Sequence, residues 1–517
     1  MEAVTQEAKT YDLLIVGGGI NGTGIARDAA GRGLKVLLCE QHDLAAHTSS
    51  ASTKLIHGGL RYLEYYEFSL VRKALAEREV LLAAAPHILW PLRFVMPHEP
   101  HLRPAWMIRI GLFLYDHLAR RRQLPASQTV RLDQHPTGAP LRHAARVGFV
   151  YSDVWVDDAR LVVLNAVDAA AHGARILTRT RCAHLQRVAS AETQAPGTVW
   201  QATLSHADGR QETVTAKAVV NAAGPWAQRF LEQAFHAEPD TTLRLVKGSH
   251  IVVPQLFDHD HAYIFQHIDR RIVFAIPYEQ AFTLIGTTDV DYRGDPALVA
   301  SSAEETQYLC AVASHYFSTT LSPADVVHTF AGVRPLMGDA ADEAAGVTRD
   351  YHLALDAAGA PLLSVIGGKI TTFRRLAEDA LAKLAPCFPA MGQAWTRDAI
   401  LPGGDLGMSP SDFAAQLRRQ FPAVAPAVTD RWARTYGTQW VRWLADDERG
   451  SEHVLGEEVV PGLYAGEVDY LCHREWARTA EDILWRRTKL GLHLPPTAQA
   501  QLDAWMTAQG LHAGAVG

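Results

Sequence analysis

Residues 11–40 read YDLLIVGGGINGTGIARDAAGRGLKVLLCE, and this stretch decides the fold. Leu13, Leu14, Ile15 and Val16 form a short apolar run bounded by glycine, the pattern of a strand buried in a parallel sheet. Gly17-x-Gly19-x-x-Gly22 follows at once. A helical pattern runs from about Ile20 to Arg32, and Gly33 stops it. Val36, Leu37, Leu38 and Cys39 predict a second strand that ends on Glu40. Strand, glycine loop, helix, strand and acid in this order point to a dinucleotide site. Gly17 permits a tight turn, Gly19 lets a pyrophosphate approach the backbone, and Gly22 lets the helix pack on the strand. The helix start offers N–H groups and a partial positive charge to phosphate. Glu40 stands where a carboxylate accepts bonds from ribose hydroxyls, and it would repel the 2′-phosphate of NADP. A lone GxGxxG is common in turns; the whole ordered unit is not.

The chain of 517 residues has room for two or three domains with ample core. Its formal net charge of -7 argues against broad nucleic-acid binding. The five cysteines (Cys39, Cys182, Cys310, Cys387, Cys472) contain no CxxC pair. Neither a disulfide framework nor a zinc ribbon is therefore expected, and a reducing cytoplasm suits the chain. Asp258-His259-Asp260-His261 looks like a metal set, but adjacent residues rarely all face one ion. An exposed turn is expected there, and no metal. The polar start, MEAVTQEAKT, reads as a loose tail without a signal region. No run is long and apolar enough to span a bilayer.

Residues 41–64, QHDLAAHTSSASTKLIHGGLRYLE, bring hydroxyls at Thr48, Ser49, Ser50, Ser52 and Thr53. Gly58-Gly59 lets a flat ring approach the backbone, and His57 and Arg61 flank the pair. An NAD fold usually continues into another strand–helix unit here, whereas a long Ser-rich segment with a GG pair suits a segment that wraps FAD. This stretch, with GGGINGTGIARDAAGRG before it and HLRPAWMIRIGLFLYDH, YSDVWVDDARLV, KGSHIVVP, IGTTDV, GVRPL, GGKITTFR and WRRTKLG after it, resembles the FAD-dependent glycerol-3-phosphate dehydrogenases of the respiratory, membrane-associated kind. The resemblance covers nearly the whole chain. It implies an α/β fold with a Rossmann-like FAD-binding domain, a β-rich substrate domain and an all-helical C-terminal domain. The expected bounds are 11–90, 155–244 and 331–385 for the FAD-binding domain, 91–154 for an inserted loop and helical region, 245–330 for the substrate domain and 400–517 for a helical cap.

Within these bounds, residues 68–85 and 156–172 predict helices, and 175–188 and 198–204 predict strands. Residues 86–104 are proline-punctuated, and 124–145 read as loop. Residues 105–122, AWMIRIGLFLYDHLARRR, are apolar and aromatic and close on three arginines. A core helix or a helix lying in a membrane interface both fit, and the resemblance favours the membrane. Val219 to Gly224 is an apolar strand ending in small residues, of the kind that returns to a nucleotide. Residues 245–289 are β-rich. Residues 362–366 form a further strand, entering Gly367-Gly368-Lys369 and a helix over 370–384, which in the family points at the flavin. Helices are expected at 411–420, 430–436, 467–478 and 480–491, with no catalytic constellation among them.

The resemblance implies oxidation of sn-glycerol 3-phosphate to dihydroxyacetone phosphate, with electrons passing from FAD to a membrane quinone, ubiquinone or menaquinone. It also implies peripheral attachment to the cytoplasmic face of the inner membrane; a homodimer stays open. An oxidase passing electrons to O2 is the alternative, and it would be cytoplasmic. FAD is expected against Gly17, Gly19, Asn21, Gly22, Glu40, Ser49, Ser50, Thr53, Gly58, Gly59, Gly224, Gly368 and Thr371. A phosphate dianion wants guanidinium forks and an ammonium, which Arg61, Arg349 and Lys369 offer, with Tyr62 positioning the substrate. Removing hydride from C2 requires a base for the hydroxyl and a cation for the developing oxyanion. His57 and His250 are the base candidates, and Arg334 is the oxyanion partner. A flavoprotein regulator is a different class, and phosphate-seeking cations beside a flavin argue against it.

Overall fold

The computed structural model describes residues 9–142, 146–189, 198–236, 243–337, 350–445 and 455–511. Of the tail expected at 1–10, residues 1–8 lie outside these, as does Arg349, whereas Lys9 and Thr10 are not tail but open the strand Lys9–Val16. The chain divides into two compact units, one of residues 1–49, 159–243 and 349–517, the other of residues 50–158 and 244–348.

In the first unit a sheet runs in the order His352–Asp356, Leu362–Ile366, Gln211–Asn221, Lys9–Val16, Val36–Cys39, Arg175–Leu177. All neighbours are parallel except the first pair. Leu13, Leu14, Ile15 and Val36 to Leu38 are fully buried, as unbroken apolar runs in a parallel sheet should be. Lys9–Val16 is central, with Val36–Cys39 on one side and Gln211–Asn221 on the other. The chain thus leaves the central strand in one direction and later returns on its opposite edge, which opens a crevice at the strand ends where ligands of such sheets bind. Strand Thr198–His206 pairs antiparallel with the first half of Gln211–Asn221, and Thr180–Ala189 pairs antiparallel with Thr198–His206. The helix Ile20–Gly31 lies so close to the helix Phe373–Leu384 that a Cβ on Gly24 would sit 2.7 Å from the Phe373 ring.

The C-terminal helices belong to this same unit but keep a core of their own, in which Leu417, Trp432, Tyr436, Trp440, Leu471, Leu502 and Met506 are almost fully buried. The helices Pro410–Gln420, Pro426–Thr435 and Ala465–Arg474 fall where the sequence places them, within a few residues. Thr438–Ala445 and Thr497–Ala508 add two more. Residues 480–491 are not one α-helix: Asp482–Arg487 is a π-helical turn, and Lys489 has a left-handed backbone.

The second unit is built on a sheet in the order Val290–Asp291, Leu243–Pro254, Phe282–Gly286, Ile272–Tyr278, His261–Gln266, Leu89–Pro97, Gly148–Val156, Leu55–Ile56, with His328–Met337 beside Leu243–Pro254. Residues 50–90 and 91–154 therefore share one sheet with the β-rich segment rather than standing as FAD-binding and inserted parts. The cause is the pairing of Gly148–Val156, buried along its whole length, with both Leu55–Ile56 and Leu89–Pro97. Leu89–Pro97 is a strand despite its prolines. Its second neighbour pairs only with Arg93 to Val95, so Pro91 and Pro97 lie outside the doubly bonded part, where the missing N–H would matter most. The helix Ala303–Tyr316 starts with a capping box, Ser302 with Glu305, and covers the sheet through Leu309, Val312, Ala313 and Tyr316.

Candidate active site

In the first unit the glycine turn is shaped by contacts that no side chain could share. Gly17 has φ +113°, and a Cβ there would lie 2.5 Å from the Ala222 carbonyl oxygen; a Cβ on Gly22 would lie 1.9 Å from that of Gly17. The Gly18 N–H donates to Glu40 Oε2 at 2.7 Å, and the His42 N–H donates to Glu40 Oε1 at 2.8 Å. Burial pushes the Glu40 carboxyl above its ordinary value, against the downward pull of these two amides. Each oxygen keeps a lone pair for a further donor such as a ribose hydroxyl. Ser49 Oγ accepts the Ile20 N–H at 3.0 Å, so that hydroxyl holds the helix start.

The second glycine turn belongs to the same unit. Gly367 and Gly368 both have positive φ, +73° and +98°. Asn21 Nδ2 donates to the Gly367 carbonyl at 3.2 Å and ties the two turns together, while its buried Oδ1 has no partner among the described residues. Gly224 also has positive φ, +55°, and a Cβ there would meet open space. Lys369 is half-buried at the start of the short helix Ile370–Thr372, in which Thr371 is buried. Bare backbone, an orphaned amide oxygen and two glycine turns at the strand ends fit a dinucleotide. Gly17, Gly19, Asn21, Gly22, Glu40 and Gly368 are the residues that would hold it.

In the second unit, His250 and Arg334 lie on adjacent strands, with Thr53 reaching the first of them. His250 is completely buried, stacks on Phe330 at 4.8 Å between ring centres, and its Nε2 lies 3.0 Å from Thr53 Oγ1. Its Nδ1 has no hydrogen-bond partner among the described residues. Burial first, then the charges of Arg334 and Lys54, hold its pKa well below the ordinary imidazole value. All three causes favour the neutral ring. Gly286 faces it, and a Cβ there would lie 2.1 Å from the imidazole. Arg334 Nη1 donates to Asp289 Oδ1 at 2.6 Å and Nη2 reaches Thr287 Oγ1 at 3.5 Å, with the side chain 30% exposed. Beneath them Lys54, almost fully buried, pairs with Asp158 at 2.8 Å and lies over the Phe330 ring. Ser52 Oγ donates to the other Asp158 oxygen at 2.7 Å.

His57, half-buried, directly follows the strand Leu55–Ile56. The Gly58 N–H donates to Tyr115 Oη, which in turn donates to Asp153. Gly59 has φ +76°, and a Cβ there would meet the Tyr62 ring at 2.3 Å. Arg61 is half-buried and makes no hydrogen bond or ion pair with the described residues. Ser50, read as a flavin contact, gives its carbonyl to Lys54 Nζ at 3.0 Å. The sequence reading missed Lys54, Asp158, Asp289 and Phe330. Lys54 and Phe330 stand inside quoted or adjoining motifs, TSSASTKLIHGGLRYLE and GVRPL, which was the available signal. Among the described residues no group of His, Cys, Asp and Glu could hold a metal ion. Of the Asp-His-Asp-His run, Asp258 and Asp260 are exposed, whereas His259 is half-buried and bonded to Tyr263 at 2.9 Å.

The family described as FAD dependent oxidoreductase matches residues 12–374, and the C-terminal domain of alpha-glycerophosphate oxidase matches residues 394–508. The chain is 56% identical to a glycerol-3-phosphate dehydrogenase of Pseudomonas aeruginosa over 98% of its own length and 96% of the relative's. The chain belongs to the FAD-dependent glycerol-3-phosphate dehydrogenase family. A second relative, the D-erythritol 1-phosphate dehydrogenase of Brucella abortus, is 49% identical over 96% of this chain and 98% of that one. Among solved structures, the glycerol-3-phosphate dehydrogenase from Bacillus halodurans complexed with FAD superposes with a TM-score of 0.71 at 25% identity, over 98% of this chain and 96% of the other. This member of the glycerol-3-phosphate dehydrogenase family is thus an FAD-dependent oxidoreductase whose C-terminal helices are a family domain in their own right.

Proposed function

We propose that the protein oxidises sn-glycerol 3-phosphate to dihydroxyacetone phosphate and passes the electrons to a membrane quinone. Arg334 is the observation that carries the reading. It is a partly exposed guanidinium fixed by one arm on Asp289, on the strand whose Phe330 stacks on His250. A fork held this way keeps donors for an oxyanion that forms only as hydride leaves C2. FAD, when bound, supplies the acceptor for that hydride. The hydroxyl proton goes to a base. His57 is the better candidate, because His250 is wholly covered by protein while His57 is not. His250 then acts through the Thr53 hydroxyl as a positioning residue. Arg61, with no protein partner among the described residues, and Lys369 are the phosphate ligands; Arg349 remains a third candidate.

The 49% identity to a D-erythritol 1-phosphate dehydrogenase supports a second reading in which the longer polyol phosphate is the substrate. Anaerobic addition of each compound to the pure protein separates them: glycerol 3-phosphate should bleach the flavin bands at lower concentration. Bleaching by erythritol 1-phosphate alone would transfer the assignment, and bleaching by neither would remove both. Peroxide yield in air against quinone turnover separates dehydrogenase from oxidase.

No helix among the described residues is long and apolar enough to cross a membrane. The helix Ala105–His117 exposes Trp106, Ile110, Phe113 and Leu114, and Tyr65, Tyr66 and Phe68 are exposed on the neighbouring Leu60–Phe68 stretch. Arg120 and Arg122 are exposed at its end. An apolar face rimmed by cations supports peripheral binding to an anionic bilayer, where quinone dissolves. Leu112 and Tyr115 of the same helix are buried and take no part in that face. Arg121 is turned to the chain, donating to the Asp116 carbonyl at 2.9 Å.

A further inference from the structure

The C-terminal domain has its own apolar core, yet the arginines of its WRRTKLG stretch leave it and enter the nucleotide-binding part of the same unit. We propose that Arg486 and Arg487, acting through Asp43, are positioning residues for FAD: they hold the 40–49 loop, with Glu40 and Ser49, against the glycine turn.

The loop meets the glycine turn at three points. Gly18 N–H donates to Glu40, Ala45 N–H donates to the Gly18 carbonyl at 3.2 Å, and Ile20 N–H donates to Ser49. Asp43 stands between these contacts and is 2% exposed. Its carboxylate is taken up by the two arginines: Oδ2 accepts from Arg486 Nε at 2.7 Å and from Arg487 Nη1 at 2.8 Å, and Oδ1 accepts from Arg487 Nη2 at 2.8 Å. Side chains of consecutive residues on an α-helix diverge by about 100° and would not converge on one carboxylate. Here they sit in the π-helical turn Asp482–Arg487, where Thr488 N–H reaches back to the Ile483 carbonyl at 2.9 Å. Such turns recur where a helix must aim side chains at a site.

The arginines are themselves clamped. Arg487 Nη2 also donates to the Glu475 carbonyl at 2.7 Å, and Arg486 donates to Glu481 and Asp482. Asp482 accepts as well from Arg179 at 2.7 Å, and the Arg179 N–H donates to the His42 carbonyl at 2.8 Å, gripping the loop from its backbone. Burial pushes Asp482 up, but Arg179, Arg486 and Arg487 together bring it down to about 2, so it stays charged. A buried ion network is a poor source of stability beside an apolar core, because desolvation consumes most of the attraction. What it supplies is a fixed geometry, and the geometry fixed here is that of the loop bearing Glu40.

The inference rests on Glu40 facing the nucleotide. The full-length protein is stripped of flavin, and FAD affinity and dissociation rate are measured by flavin fluorescence for the wild type, Asp43→Asn, Asp43→Glu, Arg486→Gln and Glu40→Gln. Asp43→Asn and Arg486→Gln should each weaken FAD binding at least tenfold, mainly by faster release, and Asp43→Glu should restore part of the loss. Affinity within twofold of wild type in both, with only the thermal midpoint lowered, would mean that the pairs merely join two domains and would overturn the proposal. If Asp43→Asn does not fold, Arg486→Gln, which leaves Arg487 on Asp43, decides by the same measure. Should Glu40→Gln leave affinity unchanged, the loop does not face the nucleotide, and it is that underlying reading which fails.

Discussion

Arg334 holds Asp289 through Nη1 and reaches Thr287 through Nη2, and its five N–H groups leave further donors for an anion. On the proposed reading, replacing it by Ala removes a charge-assisted contact made in the transition state, worth on the order of 3 kcal/mol, or about a hundredfold in turnover. Steady-state kinetics of Arg334→Ala should show that loss with flavin still bound; unchanged turnover would take Arg334 out of the site. Histidines set an acid limb. Burial, with a smaller push from Lys54, lowers His328 to about 4, and His250 is depressed in the same direction. A depressed imidazole means that the unfolded chain takes up a proton the folded chain refuses. The stability is therefore complete above the ordinary value near 6.5 and drains away as pH falls from there toward 4. The urea midpoint should decline across that window, and His328→Gln should flatten the decline by about one proton; parallel profiles would count against it. At this scale the candidacy of His57, His250 and Arg334 was legible, because imidazole and guanidinium announce what they could do by type. Their partners were not: Thr53 stands 197 residues from His250, and Asp289 stands 45 from Arg334.

The helix Ala105–His117 shows what an element's sequence can and cannot say. Its apolar content was plain, but content does not give orientation, and both faces are apolar. One face packs through Leu112 and Tyr115, while Trp106, Ile110 and Phe113 are 64%, 51% and 54% exposed. Burying each such side chain in lipid is worth about 1.5–3 kcal/mol, and each nearby arginine adds about 1 kcal/mol on an anionic surface. Changing Trp106, Ile110 and Phe113 to Ser should abolish most flotation with anionic liposomes, and Arg120→Glu with Arg122→Glu should weaken it in a salt-dependent way. Flotation equal to wild type in the folded, flavin-loaded variants would move the contact elsewhere. The glycine-turn unit was fully legible, since each of its signals is local: an apolar run, a glycine spacing and a helix stop. Leu89–Pro97 was hidden by prolines whose harmlessness depends on which strand pairs where.

Across the whole molecule, the two compact units cut through the bounds read from sequence, because a strand's partner is not written next to it. The fold class survives this, since it needs only the kinds of element and their order. Non-covalent FAD is expected throughout. Denaturation should release it into the supernatant, and protein-bound flavin after denaturation would contradict that. Added FAD should also raise the thermal midpoint of the stripped protein, by about 2.7 kcal/mol of stability at a hundredfold excess over its dissociation constant. The order of the nucleotide sheet has a further consequence. Lys9–Val16 is its central strand, but one edge waits for Gln211–Asn221, and that strand in turn waits for Leu362–Ile366. On a ribosome adding about 5–20 residues per second, the first strand is left half-paired for on the order of 10–40 s. During translation this stretch is a sticky apolar edge that chaperones must shield. A message broken before the codon for Leu362 yields a polypeptide that displays the glycine fingerprint without the sheet that gives it a use.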